Sequence, residues 1–491
     1  MSSFPFTTDS GCHLITRRQM LERTGMGLGS IALTYLLHLD GALAREEGGS
    51  RGFDLRPKKS HFEPKVKSVI LMMQNGGPSQ MDLFDPKPIL QKYSGKNHQE
   101  ALKDSTKVEM FQGGSQANTL MGSPFKFDHY GESGIEFSNV IPNIGSLADE
   151  MCMIRSMHTG HNNHTEALIM FTSGKIFQGR PTFGAWISYG LGTENQNLPA
   201  YIVLRDPAGY NTSGRLTWTS GWLPALYEGT EFSAQGSAVL NLHPTSPRPE
   251  GFLRGDLDFL EKLNRLDQRR DPRESDLETR IQNYELAAGM MPVTDQILDM
   301  SKETPATQKL YGLDNSKTKA YGLRCLMARK LIEAGVRFVQ IHPNGKGQPW
   351  DHHGKLKGSM ISVCGAQDLP TAGLIQDLKQ RGLLESTLVI WSGEFGRLPI
   401  TQGGTGRDHN RNAFTLWMIG GNFKRGYVHG ATDEVAYAAV ENRVGVSDLH
   451  ATILDQLGLD HDKVSYRHSG RDETLTDSPV TEARVLDELL A

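Results

Sequence analysis

The chain has 491 residues, with 52 Lys and Arg against 56 Asp and Glu and a formal net charge of −4. Without a basic surplus nothing suggests a nucleic-acid partner, and beyond the N-terminal segment no long apolar run suggests a membrane span. The four cysteines show no Cys-x-x-Cys spacing, which excludes a disulfide framework and a cysteine zinc site.

The first predicted element is a leader. Thr16-Arg17-Arg18-Gln19-Met20-Leu21 places paired arginines ahead of an apolar stretch, 25–39, that Gly25, Gly27 and Gly29 dilute. Ala42-Leu43-Ala44 then supplies an A-x-A cleavage site. This is the order of a twin-arginine signal peptide ending at Ala44, and it predicts export to the periplasm or beyond. A buried N-terminal helix would not account for all three features in this order. Cys12 leaves with the leader; Cys152, Cys325 and Cys364 read as buried free thiols.

Residues 65–73 end in a continuous apolar run, as a strand buried on both faces does. The run breaks at Asn75-Gly76-Gly77-Pro78-Ser79. A second apolar segment, 151–157, leads into the polar loop 159–163 and then a helix, 164–172, that stops at Gly174. Residues 199–204 are a strand. Residues 256–310 are charged with a helical period and read as a solvated helical insertion or cap. A helix over 319–334 closes at Gly335, a strand follows at 336–341, and a helix over 370–381 closes at Gly382. Strands at 387–391 and 414–419 and a helix over 446–457 complete the series. This alternation predicts one α/β domain over 45–491, a mostly parallel sheet with helices on both faces. Ligands of such sheets bind beyond the carboxyl ends of the strands.

Four strand-end loops hold the clustered polar residues. They are 74–82, 158–164, Trp350-Asp351-His352-His353, and Ser392-Gly393-Glu394-Phe395-Gly396-Arg397 with Gly406-Arg407-Asp408-His409 nearby. Asp351 and His353 are the best ligand pair, since carboxylate oxygen and imidazole nitrogen suit zinc, manganese or iron. Glu394 follows a buried strand, where an unpaired carboxylate is costly; a cation would remove that cost, and so would Arg397 or Arg407. Asp408-His409 adds a second carboxylate and imidazole. One such pair alone reads as a satisfied surface or core pair, whereas several at successive strand ends point to a shared metal site. A Walker A loop, a G-x-S-x-G elbow and an H-E-x-x-H helix are all absent.

Asn75-Gly-Gly-Pro-Ser-Gln-Met-Asp-Leu-Phe-Asp-Pro-Lys87, Trp350-Asp-His-His353, Gly393-Glu-Phe-Gly-Arg397, Gly406-Arg-Asp-His409 and Asp448-Leu-His-Ala-Thr-Ile-Leu454 together resemble the alkaline phosphatase superfamily, which includes sulfatases. More closely they resemble its exported bacterial branch, domain of unknown function 1501, over most of residues 60–480. The resemblance implies an alkaline-phosphatase-like three-layer sandwich, two metals, usually zinc, and a nucleophile at the start of a helix. Asp351, His353 and His409 match one metal site. At the other, Glu394 stands in for an aspartate, Phe395 cannot bind metal, and the first strand ends in neutral Gln74 or Asn75 where an aspartate usually sits. Thr165 falls at the nucleophile position, where a helix N-terminus favours an anionic ester; a helix cap is its alternative role. His161 and His164 are candidate ligands or acid–base groups. The Cys-x-Pro-x-Arg motif of ordinary sulfatases is absent, since Cys325-Leu-Met-Ala-Arg329 lacks the proline.

Two classes of function follow. The first is a metal-dependent hydrolase of phosphate or sulfate esters, acting on a small anionic ester or a sulfated or phosphorylated glycan. Asp351, His353, His409 and Glu394, with Asp408 and Asn75 as further candidates, would hold a divalent metal as Lewis acid. Zinc comes first, with manganese, iron or calcium as alternatives, and Arg397 or Arg407 would clamp the anion. The second is a non-catalytic member of the fold with a binding or structural role, which the neutral first strand end and Phe395 favour. A one-metal enzyme with His161 or His164 as base is a third reading.

Overall fold

The computed structural model describes residues 54–101, 119–239, 242, 252–270 and 275–491, which belong to one compact unit. The predicted leader lies outside the described residues. The sheet has nine strands: β1 Ser68–Met73, β2 Met151–His158, β3 Tyr201–Leu204, β4 Thr230–Phe232, β5 Phe338–Ile341, β6 Thr387–Ser392, β7 Phe414–Ile419, β8 Tyr427–His429 and β9 Val444–Gly445. Their spatial order is β8-β2-β7-β6-β1-β5-β3-β4, with β9 also against β2. Every residue of β1 is buried, because parallel neighbours β6 and β5 flank it and both its faces are covered. Only β7 runs against its neighbours, β2 and β6.

Among the described residues, the helices of nine or more residues are α1 His164–Ser173, α2 Phe183–Leu191, α3 Phe252–Arg270, α4 Ser275–Ile297, α5 Lys319–Glu333, α6 Leu356–Gln380 and α7 Val446–Gln456. Alternation along β1 divides the core into two layers. Ile70 and Met72 pack with Leu326 of α5 and Leu374 and Leu378 of α6. Val69, Leu71 and Met73 pack with Leu168 of α1, Trp186 of α2 and Ile453 of α7. The result is a helix–sheet–helix sandwich. Cys152, Cys325 and Cys364 are free and buried, and burial pushes the Cys152 thiol up to about 12.

The sequence starts α6 at Pro370, whereas the helix begins at Leu356 and runs through that proline. Leu356, Met360, Cys364, Gln367 and Asp368 are buried at helical spacing, and this buried face outweighs the hydrogen bond that Pro370 removes. Gly174 closes α1 as predicted: it adopts φ +78°, and its N–H donates to Met170 O at 2.8 Å. In the charged region, Arg254 of α3 pairs with Asp258 and with Glu285 of α4.

Two buried histidines give the fold a pH dependence. Burial pushes His342 down to about 3 and His450 down to about 4. His450 donates from Nε2 to Phe171 O at 2.9 Å and stacks on Phe183. Both rings are neutral when folded and titrate near 6.5 when unfolded. As pH falls from 6.5 toward 4 the unfolded chain gains protons that the folded one cannot take, so stability falls. Each group contributes about 1.4 kcal/mol per pH unit. A His450→Gln variant keeps the N–H donor and will show a shallower dependence in urea unfolding between pH 4 and 6.5. An unchanged slope would refute the assignment.

Candidate metal centre

Because β7 is antiparallel to both β2 and β6, the strands β1, β2, β5 and β6 share one direction, and their carboxyl ends open at one sheet edge. The loop after β2 turns into α1. Asn163 is the N-cap and its Oδ1 accepts the Thr165 N–H at 3.0 Å, so His164 is the first helical residue. The loop after β5 delivers Asp351 and His353, and that after β6 delivers Glu394. A hairpin, Gly396–Gln402 paired with Gly406–Asn410, brings His409 back to the same edge.

His164, Asp351, His353 and His409 converge there, and one ligand atom from each lies within 4.8 Å of the others. The Nδ1 atom of each ring faces an oxygen: Glu394 Oε1 at 2.6 Å for His164, Gln402 Oε1 for His353 and Asn162 O at 2.7 Å for His409. In neutral rings these partners place the hydrogen on Nδ1 and leave a lone pair on Nε2. The Nε2 atoms point at one another and at Asp351. His353 Nε2 is 2.9 Å from His409 Nε2 and 2.8 Å from Asp351 Oδ1. His409 Nε2 is 3.2 Å from Asp351 Oδ1. His164 Nε2 is buried, 3.3 Å from Asp351 Oδ2 and without the alignment of a hydrogen bond. Tetrahedral zinc with ligand bonds near 2.0–2.1 Å spaces its ligand atoms about 3.3–3.4 Å apart. Four of the separations, at 2.8–3.3 Å, lie at or just under that spacing and all lie within 4.8 Å, so the four residues fit a divalent cation in number and chemistry and gather closely enough to share one.

Without a cation, converging lone pairs must be relieved by protons. Burial disfavours charge on His164, but Asp351 and Glu394 outweigh it and push the ring up to about 9. Asp351 raises His353, while burial lowers His409. Burial works against the Asp351 carboxylate, yet the three histidines and Arg397 hold it far below the usual carboxylate range. The Asp351 and His353 side chains are 25% and 30% exposed, so the centre is open on that side.

A family model described as Protein of unknown function (DUF1501) matches residues 66–490. The chain belongs to this family. No curated protein matches it. Solved structures similar to this DUF1501 chain include the PsFucS1 sulfatase from Pseudoalteromonas sp. (13% identity, 82% of this chain and 68% of that one, TM-score 0.35). Another is a TAB5 alkaline phosphatase mutant with magnesium bound (11% identity, 81% and 98%, TM-score 0.33). A third is a phosphonate monoester hydrolase from Silicibacter pomeroyi (12% identity, 71% and 73%, TM-score 0.31).

Other candidates in the DUF1501 chain take different places from those expected. Glu394 is not among the four converging residues; it stands behind His164 and accepts the Gly76 and Gly77 N–H groups. Asn75 is committed elsewhere: its Nδ2 donates to Gly347 O at 2.7 Å and its Oδ1 faces His342. Asp408 Oδ1 accepts the His409 N–H and lies 4.0 Å from His353 Nδ1, also outside the four. His161 Nδ1 accepts the Asn163 N–H, bracing the loop ahead of α1. Thr165 is not the cap; it is the second residue of α1.

Neither arginine is placed to clamp a ligand. Arg397 donates to Gly76 O, Gly77 O, Arg407 O and Asp351 Oδ1. Arg407 is wholly buried against Asp82. Sequence reading also missed three contributors. Gln402 acts across the hairpin, Asn162 acts through its backbone carbonyl, and Phe395 packs its ring against His164 and His409 at 4.8 and 4.6 Å. Asn162 and Phe395 stood in loops already singled out, whereas Gln402 did not.

Residues behind metal-bound histidines orient them and raise their basicity. Glu394→Gln keeps the shape and one acceptor but removes the charge behind His164. It will weaken zinc binding about 10–100-fold, measured by competition with a chromophoric chelator. Unchanged affinity would remove Glu394 from the centre.

Proposed function

We propose that this DUF1501 chain is a metal-dependent hydrolase of phosphate or sulfate esters, exported by the twin-arginine route to the periplasm or beyond. The observation that carries the reading is the set of three imidazoles, each braced at Nδ1 by an oxygen, with Nε2 converging on Asp351. That arrangement suits zinc, with manganese, iron or calcium as alternatives. When bound, the ion would supply Lewis acidity and an activated water. His164, Asp351, His353 and His409 would hold it, with Glu394, Gln402 and Asn162 O fixing the rings. Helix α1 starts at the centre, so its amino end favours an anionic group beside the cation. Thr165 and His161 flank that point in sequence. The substrate is a small anionic ester or a sulfated or phosphorylated glycan.

One observation favours a non-catalytic role. Four protein ligands fill a tetrahedral zinc, as in structural sites, whereas catalytic sites keep a position for water. The exposed side at Asp351 and His353 argues for access. The deciding assay uses residues 45–491 loaded with zinc on p-nitrophenyl phosphate, bis(p-nitrophenyl) phosphate and p-nitrophenyl sulfate. Nitrophenolate release that stops on chelation and returns with zinc is expected. A loaded protein that turns over none of the three would overturn the hydrolase reading and leave a binding role.

A further inference from the structure

We infer that this centre takes a single divalent ion and that the Arg397 guanidinium occupies the place a second ion would need. The inference rests on the metal reading above and concerns the number of ions rather than their presence. Each histidine offers one nitrogen only, because every Nδ1 already faces an oxygen. The three remaining Nε2 atoms converge on one point and can serve one ion.

Paired ions stand about 3.5–4 Å apart, so a second would need carboxylate oxygens of its own beside the first. Three carboxylates adjoin the histidines. Asp408 lies on the Nδ1 side of His353, 4.0 Å from it, and its Oδ1 accepts the His409 N–H, so it stands behind the rings and not among the converging Nε2 atoms. Glu394 is wholly buried and both its oxygens are engaged: Oε1 by His164 Nδ1 and the Gly76 N–H, and Oε2 by the Gly76 and Gly77 N–H groups. Asp351 turns Oδ2 toward His164 and Oδ1 toward His353 and His409. Its Oδ1 also accepts from Arg397 Nη2 at 2.7 Å.

Arg397 is 1% exposed and cannot swing away. Its Nε donates to Gly77 O at 2.8 Å, its Nη1 to Arg407 O at 3.0 Å and its Nη2 also to Gly76 O. A fixed positive charge thus sits on the one carboxylate that could bridge two ions, and it repels a second cation at that spot. The carbonyls of Gly76 and Gly77 are likewise spent on it. Arg397 is therefore a positioning residue that sets the count of ions and holds Asp351 in place.

The test is stoichiometry. Wild-type protein is titrated with zinc and measured by native mass spectrometry, then loaded with manganese for electron paramagnetic resonance, with Asp351→Asn as control. Saturation at one Asp351-dependent zinc per chain and an uncoupled manganese spectrum are expected. Two zinc ions that both depend on Asp351, or an exchange-coupled manganese pair, would overturn the inference and leave the centre standing. Wild-type protein that holds no ion would overturn the centre itself.

Discussion

Replacing Asp351 and His353 together by alanine will abolish metal retention and the thermal stabilisation that zinc confers. Ligands that bind only the folded state stabilise it by mass action, about 4 kcal/mol when zinc is a thousandfold above its Kd. The double variant removes one of three imidazoles and the carboxylate that all three Nε2 atoms approach. The remaining pair, His164 and His409, provides too few donors for tight binding. Protein expressed with zinc and purified without chelator will carry it by elemental analysis, and its unfolding will shift down on chelation. The variant will carry none and its unfolding will not respond to zinc. Equal zinc in the two proteins would refute the centre, because no other group of three or more His, Cys, Asp or Glu among the described residues is arranged to hold an ion.

Some of this was legible in the sequence for physical reasons. A strand buried on both faces needs a continuous apolar run, and β1 and β6 have one. Glycines that accept positive φ mark helix ends, as Gly174 does. The rule that ligands gather beyond parallel strand ends selected the loops carrying Asp351, His353 and His409. What sequence order does not carry is direction. Glu394 and Asp351 are both carboxylates in strand-end loops, yet one faces backbone amides and the Nδ1 side of a single imidazole, and the other faces the Nε2 side of three. His164 read as a ligand or an acid–base group, and only its orientation toward Asp351 separates the two. Gln402 had no signal at all, since its role depends on hairpin pairing. Pro370 misled because local propensity was overridden by the burial of one long helix face.

Arg407→Met will destabilise the protein by about 3–5 kcal/mol. Arg407 and Asp82 are both wholly buried, with Nε–Oδ2 at 2.7 Å and Nη2–Oδ1 at 3.1 Å, a bidentate pair. Ser79 Oγ donates to Asp82 Oδ2 at 2.5 Å, and the guanidinium also donates to Leu398 O and Met121 O. Removing the guanidinium leaves a carboxylate in the interior with only that hydroxyl, and two carbonyls without their donor. The cost comes from stranding these groups more than from losing attraction, so replacing both charged partners should cost less than the two single changes added together. Chemical unfolding of Arg407→Met, Asp82→Leu and the double variant measures this as a cycle. A destabilisation under 1 kcal/mol for Arg407→Met would mean that the pair is not buried as described. The same variants separate this role from an anion clamp. A clamp residue would lose ligand affinity at native stability, whereas here stability falls first, and the folded fraction should bind anions as the wild type does.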